Sequence, residues 1–193
     1  MGVLQVSNED KFSLGFIAEY VGPNNAFYGG LLITNECGLP REFRHTEAVK
    51  PTRIQQILYG EALLESIGTD AIGPALLSQL VMKPTLLLID TSSRKIFGTF
   101  CANYPRVALL VASPTTEKIF MESIAPGEEL LDAEQLNNYG VEGSYIFAYI
   151  KENGSEQIAR RALESAQNRM NLLSPFQRVR TVLQHIAEQS RAR

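Results

Sequence analysis

Apolar and polar positions change rhythm several times along the chain, and each change marks an element. From Phe12 to Val21, FSLGFIAEYV is rich in aromatic and β-branched residues and predicts a strand in spite of Gly15. The Gly22-Pro23-Asn24-Asn25 breaker closes that run, Phe27 to Thr34 opens a second, and Leu39 to Val49 a third beyond the Glu36-Cys37-Gly38 turn. Three such runs joined by short turns predict an antiparallel meander. In the third, Phe43, His45 and Glu47 alternate with Glu42, Arg44 and Thr46, so one side is more polar than a normal core face. An edge strand or an interface explains that pattern.

The period then lengthens to that of a helix. Thr52-Arg53-Ile54-Gln55 has the form of a capping box, in which Thr52 bonds the Gln55 amide while the Gln55 side chain returns to the Thr52 amide. Ile54, Ile57 and Leu58 begin an apolar stripe that Leu63, Leu64 and Ile67 extend, with Gly60 weakening the middle and Gly68 as a left-handed stop. Gly73-Pro74 places a proline in the first turn of a further helix, whose Leu76, Leu77, Leu80 and Val81 are expected to pack inward. Both helices are expected to cover the sheet.

Leu86 to Ile89 and Val107 to Ala112 are short apolar runs of buried-strand type, and Ile96, Phe97, Phe100 and Cys101 recur between them at helical spacing. That order predicts a βαβ crossover. Asp90 to Arg106 only just meets the length a parallel connection needs, so antiparallel pairing stays open at this stage. Tyr145 to Ile150 is another strand run. The chain closes on two helical patterns. Ser155 caps one with Ile158, Ala162, Leu163, Ala166 and Met170 inward. Ser174-Pro175-Phe176-Gln177 opens the other as a second capping box, with Phe176, Val179, Leu183 and Ile186 in a stripe. The stripe fits the protein's own core or, by helix-in-groove docking, another chain.

The expected fold is therefore α+β: a mixed, largely antiparallel sheet covered by helices, with a C-terminal helical pair. Residues 1–154 form the core domain and 155–193 the amphipathic helices packed on it. At 193 residues the chain suits one domain, and 45% hydrophobic with 20% charged content is ordinary for a globular one. Two widely spaced cysteines, Cys37 and Cys101, argue against a disulfide framework. No run of about 18 apolar residues occurs, the amino terminus has no leader pattern, and Val6 stands where a myristoylation pattern needs Ser or Thr. A cytoplasmic location is the expectation.

Charge divides along the chain more tellingly than its net of −3 suggests. Residues 115–142 carry seven acidic groups against Lys118, and residues 158–193 carry seven arginines against Glu164 and Glu188. The basic tail suits an acidic partner, a nucleic acid or the chain's own acidic segment.

The block GLPREFRHTEAVKPTRIQQILYG, Gly38 to Gly60, resembles a recurrent block of uncharacterised bacterial proteins. There a Gly-Leu/Arg-Pro turn, Glu-Phe, a Thr-rich strand end and Lys/Arg-Pro precede a helix ending near Leu-Tyr-Gly. The resemblance covers roughly an eighth of the chain. It implies a bacterial origin and a shared small-domain architecture, and it transfers no catalytic residue.

Reaction chemistry is thinly represented. Cys37, His45, Cys101 and His185 lack the paired spacing of a zinc site, and Cys37 with His45 is a thiolate and base pair only if the fold joins them. Neither a Walker loop nor a GxGxxG fingerprint is present, and Gly29-Gly30 reads as a strand irregularity. Asp90-Thr91-Ser92-Ser93 follows an apolar strand, where open sheets often hold ligands, so Asp90 and Ser92 are the ligand candidates; the same residues also serve turns and caps. No cofactor or metal is expected. The leading expectation is a noncatalytic subunit or adaptor that positions protein partners, for instance in defence or DNA processing. Arg41, Arg44 and Arg53 would supply its charged contacts and Phe176, Val179 and Leu183 its apolar anchor. One alternative is nucleic-acid binding, with Arg41, Arg44, Lys50 and Arg53 on phosphates and Phe43 or Tyr59 stacking a base, against the opposing Glu42 and Glu47. A small-ligand enzyme at the Asp90 turn is the other, and self-association is compatible with all three.

Overall fold

The computed structural model describes residues 12–90, 107–111, 139–142, 145–149 and 155–190. The expected helix around Ile96 to Cys101, Ser92, most of the acidic segment, and Arg191 and Arg193 lie outside the described residues. The strands are β1 (Ser13–Gly22), β2 (Ala26–Asn35), β3 (Pro40–His45), β4 (Leu86–Asp90), β5 (Val107–Val111), β6 (Tyr139–Glu142) and β7 (Tyr145–Tyr149). They form a seven-stranded sheet in the order β3-β2-β1-β4-β5-β7-β6. β1 pairs in parallel with β4, and β4 with β5, while the other pairings are antiparallel. The parallel choice for β5 closes the alternative left open by connection length. The expected meander is present, and β3 is the edge that its mixed polarity predicts. β6 went unforeseen, since its four residues fall at the end of the acidic stretch.

β2 is buried along its whole length because both of its faces are covered. On one face, Leu14, Phe16 and Ala18 of β1 join Leu32 of β2, and Leu86 and Leu88 of β4, beneath helices α4 (Ser155–Gln167) and α5 (Ser174–Gln189). The period-two alternation of strands sends Ile17, Leu31, Ile33, Leu87 and Ile89, all buried, to the other face. There the chain runs through α1 (Arg53–Tyr59), a 3₁₀ turn (Gly60–Ala62), α2 (Leu63–Ser66), a π-helical turn (Ile67–Ile72) and α3 (Gly73–Ser78). Ile72 and Leu76 of that run pack beside Gly29.

Gly29 and Gly30 are close-approach points rather than an irregularity. A Cβ on Gly29 would stand 2.2 Å from Ile72 Cγ2, and one on Gly30 2.7 Å from Val179 Cγ1, on the opposite face. The irregularity of β2 pairing falls instead at Ile33 and Thr34, where β3 slips register. Past β3 the chain stays attached to β2. Thr46 Oγ1 accepts from the Gly29 amide at 3.0 Å, and Phe27 and Val49 exchange backbone bonds of 2.9 Å.

Several helix expectations change. The Thr52 and Gln55 box forms, with the Gln55 amide donating to Thr52 Oγ1 at 3.2 Å and the Thr52 amide to Gln55 Oε1 at 2.8 Å. The break comes at Gly60, whose φ of 50° suits glycine, and Gly68 continues the helical path inside the π turn. Among the described residues α1 covers nothing, since none of its own residues is buried, and Val81 is 78% exposed rather than packed inward. α5 has Pro175 in its first turn as expected, yet Ser174 does not cap it. Leu173 is already helical, so the preceding turn feeds straight in, and Asn171 Oδ1 accepts from the Leu173 amide at 2.9 Å.

Candidate functional site

β3 is one edge of the sheet, and its residues divide between two environments. Phe43, opposite Leu32, packs against the cluster under α5. Its neighbour Glu42 is turned the other way, to the segment after α3. There its carboxylate accepts from the Val81 amide at 3.1 Å, the Met82 amide at 2.8 Å and Arg44 Nε at 2.7 Å. Partial burial pushes the Glu42 carboxyl up, but the Met82 amide, Arg44 and the Val81 amide together outweigh it and hold the group below the usual carboxylate range. Strand alternation thus takes the one carboxylate of β3 away from the α5 side.

On that side β3 and α5 stand apart and leave an open groove of about 560 Å³. Leu32 and Val179 make its floor, Pro40 and Phe43 one wall, and Gln177, Arg178, Thr181 and Val182 the other. Arg178 also borders an adjoining hollow of about 300 Å³ beside Cys37, Gly38 and Met170. Its Nη2 donates to the Gly38 carbonyl at 3.0 Å, while its Nε is buried without a hydrogen-bond partner. Gly38, at φ 80°, is held to glycine by its backbone, and a Cβ there would lie 2.8 Å from the flexible Met170 side chain at Sδ. The Phe43 and His45 rings are 6.0 Å apart and tilted by 31°, and exposed His45 has Nδ1 3.0 Å from the Thr46 carbonyl oxygen. The groove can therefore take a flat or apolar group between an aromatic wall and a helix flank that carries a cation and two polar side chains.

The three candidate arginines do not converge. Arg44 is engaged by Glu42 behind the strand, Arg41 is exposed where the register slips, and Arg53 begins α1 with Nη1 3.5 Å from Gln56 Oε1. The apolar anchor expected of Phe176, Val179 and Leu183 is core instead. All three are buried, and Phe176 meets Phe16 edge to face at 5.2 Å. The stripe found its own sheet because β1 and β2 offer α5 a continuous apolar face. Tail arginines are likewise used internally: Arg169 pairs with buried Glu36, which also accepts from Ser165 Oγ at 2.6 Å. Nothing local in the sequence marks Glu36 as that clamp.

Asp90 is the last residue of β4, in register with Leu110 of β5. β1 and β4 are parallel neighbours in the sheet. Ser92 and Cys101 lie outside the described residues. Among the described residues no group of three or more His, Cys, Asp or Glu converges on a common point, and His185 Nε2 is 2.9 Å from Gln189 Nε2. No helix among them is long and apolar enough to cross a membrane. Of the residues that line the groove from α5, Gln177 has only a capping role in the sequence reading and Arg178 only a share in the tail's charge, while Thr181 and Val182 have none. Their common signal is position on the flank of the stripe, which becomes meaningful only once β3 is known to lie alongside.

Neither a family model nor a curated protein matches the sequence. Among solved structures, the chain is similar to an endonuclease V variant of Ciona intestinalis in complex with a 23mer DNA containing an inosine followed by a ribo-adenosine. The identity is 11% and the TM-score 0.42, over 79% of this chain and 76% of that one. A second complex of Ciona intestinalis endonuclease V, with a 24mer DNA of that kind, gives 12% identity and a TM-score of 0.39, over 80% and 77% of the two chains. Similarity at this level transfers neither residues nor an activity.

Proposed function

We propose that this chain is a nucleic-acid-binding accessory protein that lays a short strand along the groove between β3 and α5. The observation that carries this reading is the segregation of β3: Phe43 and His45 belong to the groove side, while Glu42 is occupied on the far side by two amides and Arg44. Bases stack on aromatic faces whatever their sequence, so Phe43 with His45 is the stacking platform. Arg178 on the helix lines the groove, and Arg41, exposed on β3 where the register slips, is the second phosphate contact in this reading. The net charge of −3 keeps the attraction local and the affinity modest.

Fluorescence anisotropy with labelled single-stranded and duplex oligonucleotides tests this. Two phosphate contacts give a salt slope of about −1.4 for a single strand, so a fourfold rise in salt should weaken binding about sevenfold. Phe43→Leu keeps apolar packing but removes the stacking face, and should cost about tenfold in affinity. Arg41→Ala should flatten the slope by about 0.7. Affinity insensitive to salt, or unchanged in a folded Phe43→Leu protein, overturns the reading.

A noncatalytic role in positioning protein partners is the second reading, and the bare apolar face of α1 favours it. The two separate experimentally, because Phe43→Leu leaves α1 untouched.

A further inference from the structure

Among the described residues nothing covers the apolar stripe of the amphipathic helix α1. Ile54, Ile57 and Leu58 recur at i, i+3 and i+4 and so share one stripe, yet they are 68%, 66% and 75% exposed. Tyr59 and Leu64, 47% and 48% exposed, carry the apolar surface past the bend at Gly60. A helix of seven residues is marginal in water by itself, and a stripe of this kind is ordinarily the side that packs.

Charge along the same ridge has a direction. Lys50 and Arg53 stand exposed at its beginning, and Glu61, Glu65 and Asp70 stand exposed toward its end. Among the described residues, Lys50, Glu61 and Glu65 have no ion-pair partner. A ridge that begins basic and ends acidic is complementary to itself when turned end for end. A two-fold axis near Leu58 sets the basic end of one copy against the acidic end of the other. A partner of uniform charge would meet repulsion at one of the two ends.

We infer that this ridge is the isologous interface of a homodimer, with Ile54, Ile57 and Leu58 packing across the two-fold against the same residues of a second copy. The five apolar side chains expose on the order of 600 Å² per copy, about 1,200 Å² for the pair, which is the lower end of stable interfaces. The dimer is independent of the nucleic-acid reading, since neither wall of the groove takes part.

Sedimentation velocity of the full chain across a dilution series should show monomer and dimer in exchange. Leu58→Asp should weaken the dimer about a hundredfold, since the change enters a two-fold interface twice. At concentrations too low for dimer its far-ultraviolet spectrum and melting temperature should match wild type, because Leu58 is not buried in the single chain. Lys50→Glu with Arg53→Glu should weaken association about tenfold. Adding Glu61→Lys and Glu65→Lys to that variant should restore it, which a general change in solubility would not do. A wild type that is monomeric up to tens of micromolar overturns the inference, whether amide exchange at residues 54–58 is slow, as under a cover from the same chain, or fast, as on a bare helix. A dimer indifferent to Leu58→Asp and to the charge reversals overturns it as well, by placing the contact elsewhere.

Discussion

Gly30→Ala is the most searching test of how the two layers meet. The added methyl would lie 2.7 Å from Val179 Cγ1 and 3.2 and 3.3 Å from the Leu183 methyls, all at fully buried positions under α5. Neither neighbour is the free end of a long side chain, so α5 must lift or its rotamers must strain. Overpacking of this kind costs about 1–3 kcal/mol, and a chain of this size loses roughly 2–4 °C in melting temperature per kcal/mol. Val179→Ala alone should cost about 2 kcal/mol, from two methyl groups at about 0.8 kcal/mol each plus a residual cavity. In the double variant the methyl added at position 30 occupies part of the space that Val179 vacates. The pair should therefore be more stable than the sum of the single losses by about 1–2 kcal/mol. Urea unfolding followed by far-ultraviolet circular dichroism on the four proteins measures this directly. Additivity within about 0.5 kcal/mol, or a neutral Gly30→Ala, would refute the close approach of α5 to β2.

Thr52→Ala should remove the capping box and cost about 1 kcal/mol locally, seen as faster amide exchange at Gln55. The global urea midpoint should hardly move, because α1 buries nothing. Glu42 has a lowered folded-state pKa, so its contribution is present above the ordinary carboxylate value and is lost as pH falls through the folded one. Thermal melts should accordingly show wild type above Glu42→Gln at neutral pH and the two converging in acid; a constant gap down to pH about 3 would contradict this. Arg169→Ala strips the counter-charge from buried Glu36 and leaves Ser165 as its described partner, so it should cost about 1–2 kcal/mol, reduced by the half-exposed position of the guanidinium. Adding Glu36→Gln should recover part of that loss in denaturant titrations.

Much of the architecture was legible because it is local. β1, β2 and β7 announce themselves as runs rich in aromatic and β-branched residues and β4 and β5 as short apolar runs, and the Thr52 box and Pro175 mark helix starts through neighbours a few residues apart. The misreadings share a cause. Gly68 and Gly60 offer the same stop signal, and only the burial of Ile67 and Ile72 against the sheet decides that the chain bends at Gly60. Gly29 and Gly30 look like a loosened strand until helices arrive on both faces.

For the site the balance reverses. The alternation of Glu42, Phe43 and Arg44 already divides β3 into two sides, since side-chain direction along a strand has period two. Which side meets the helix carrying Arg178, and which meets the amides of Val81 and Met82, depends on contacts between residues 39 to 140 positions apart in sequence. The stripes of α1 and α5 have the same helical spacing, yet one is bare and the other is core. Periodicity reports that a face is apolar, whereas sheet order determines whether anything remains for that face to cover.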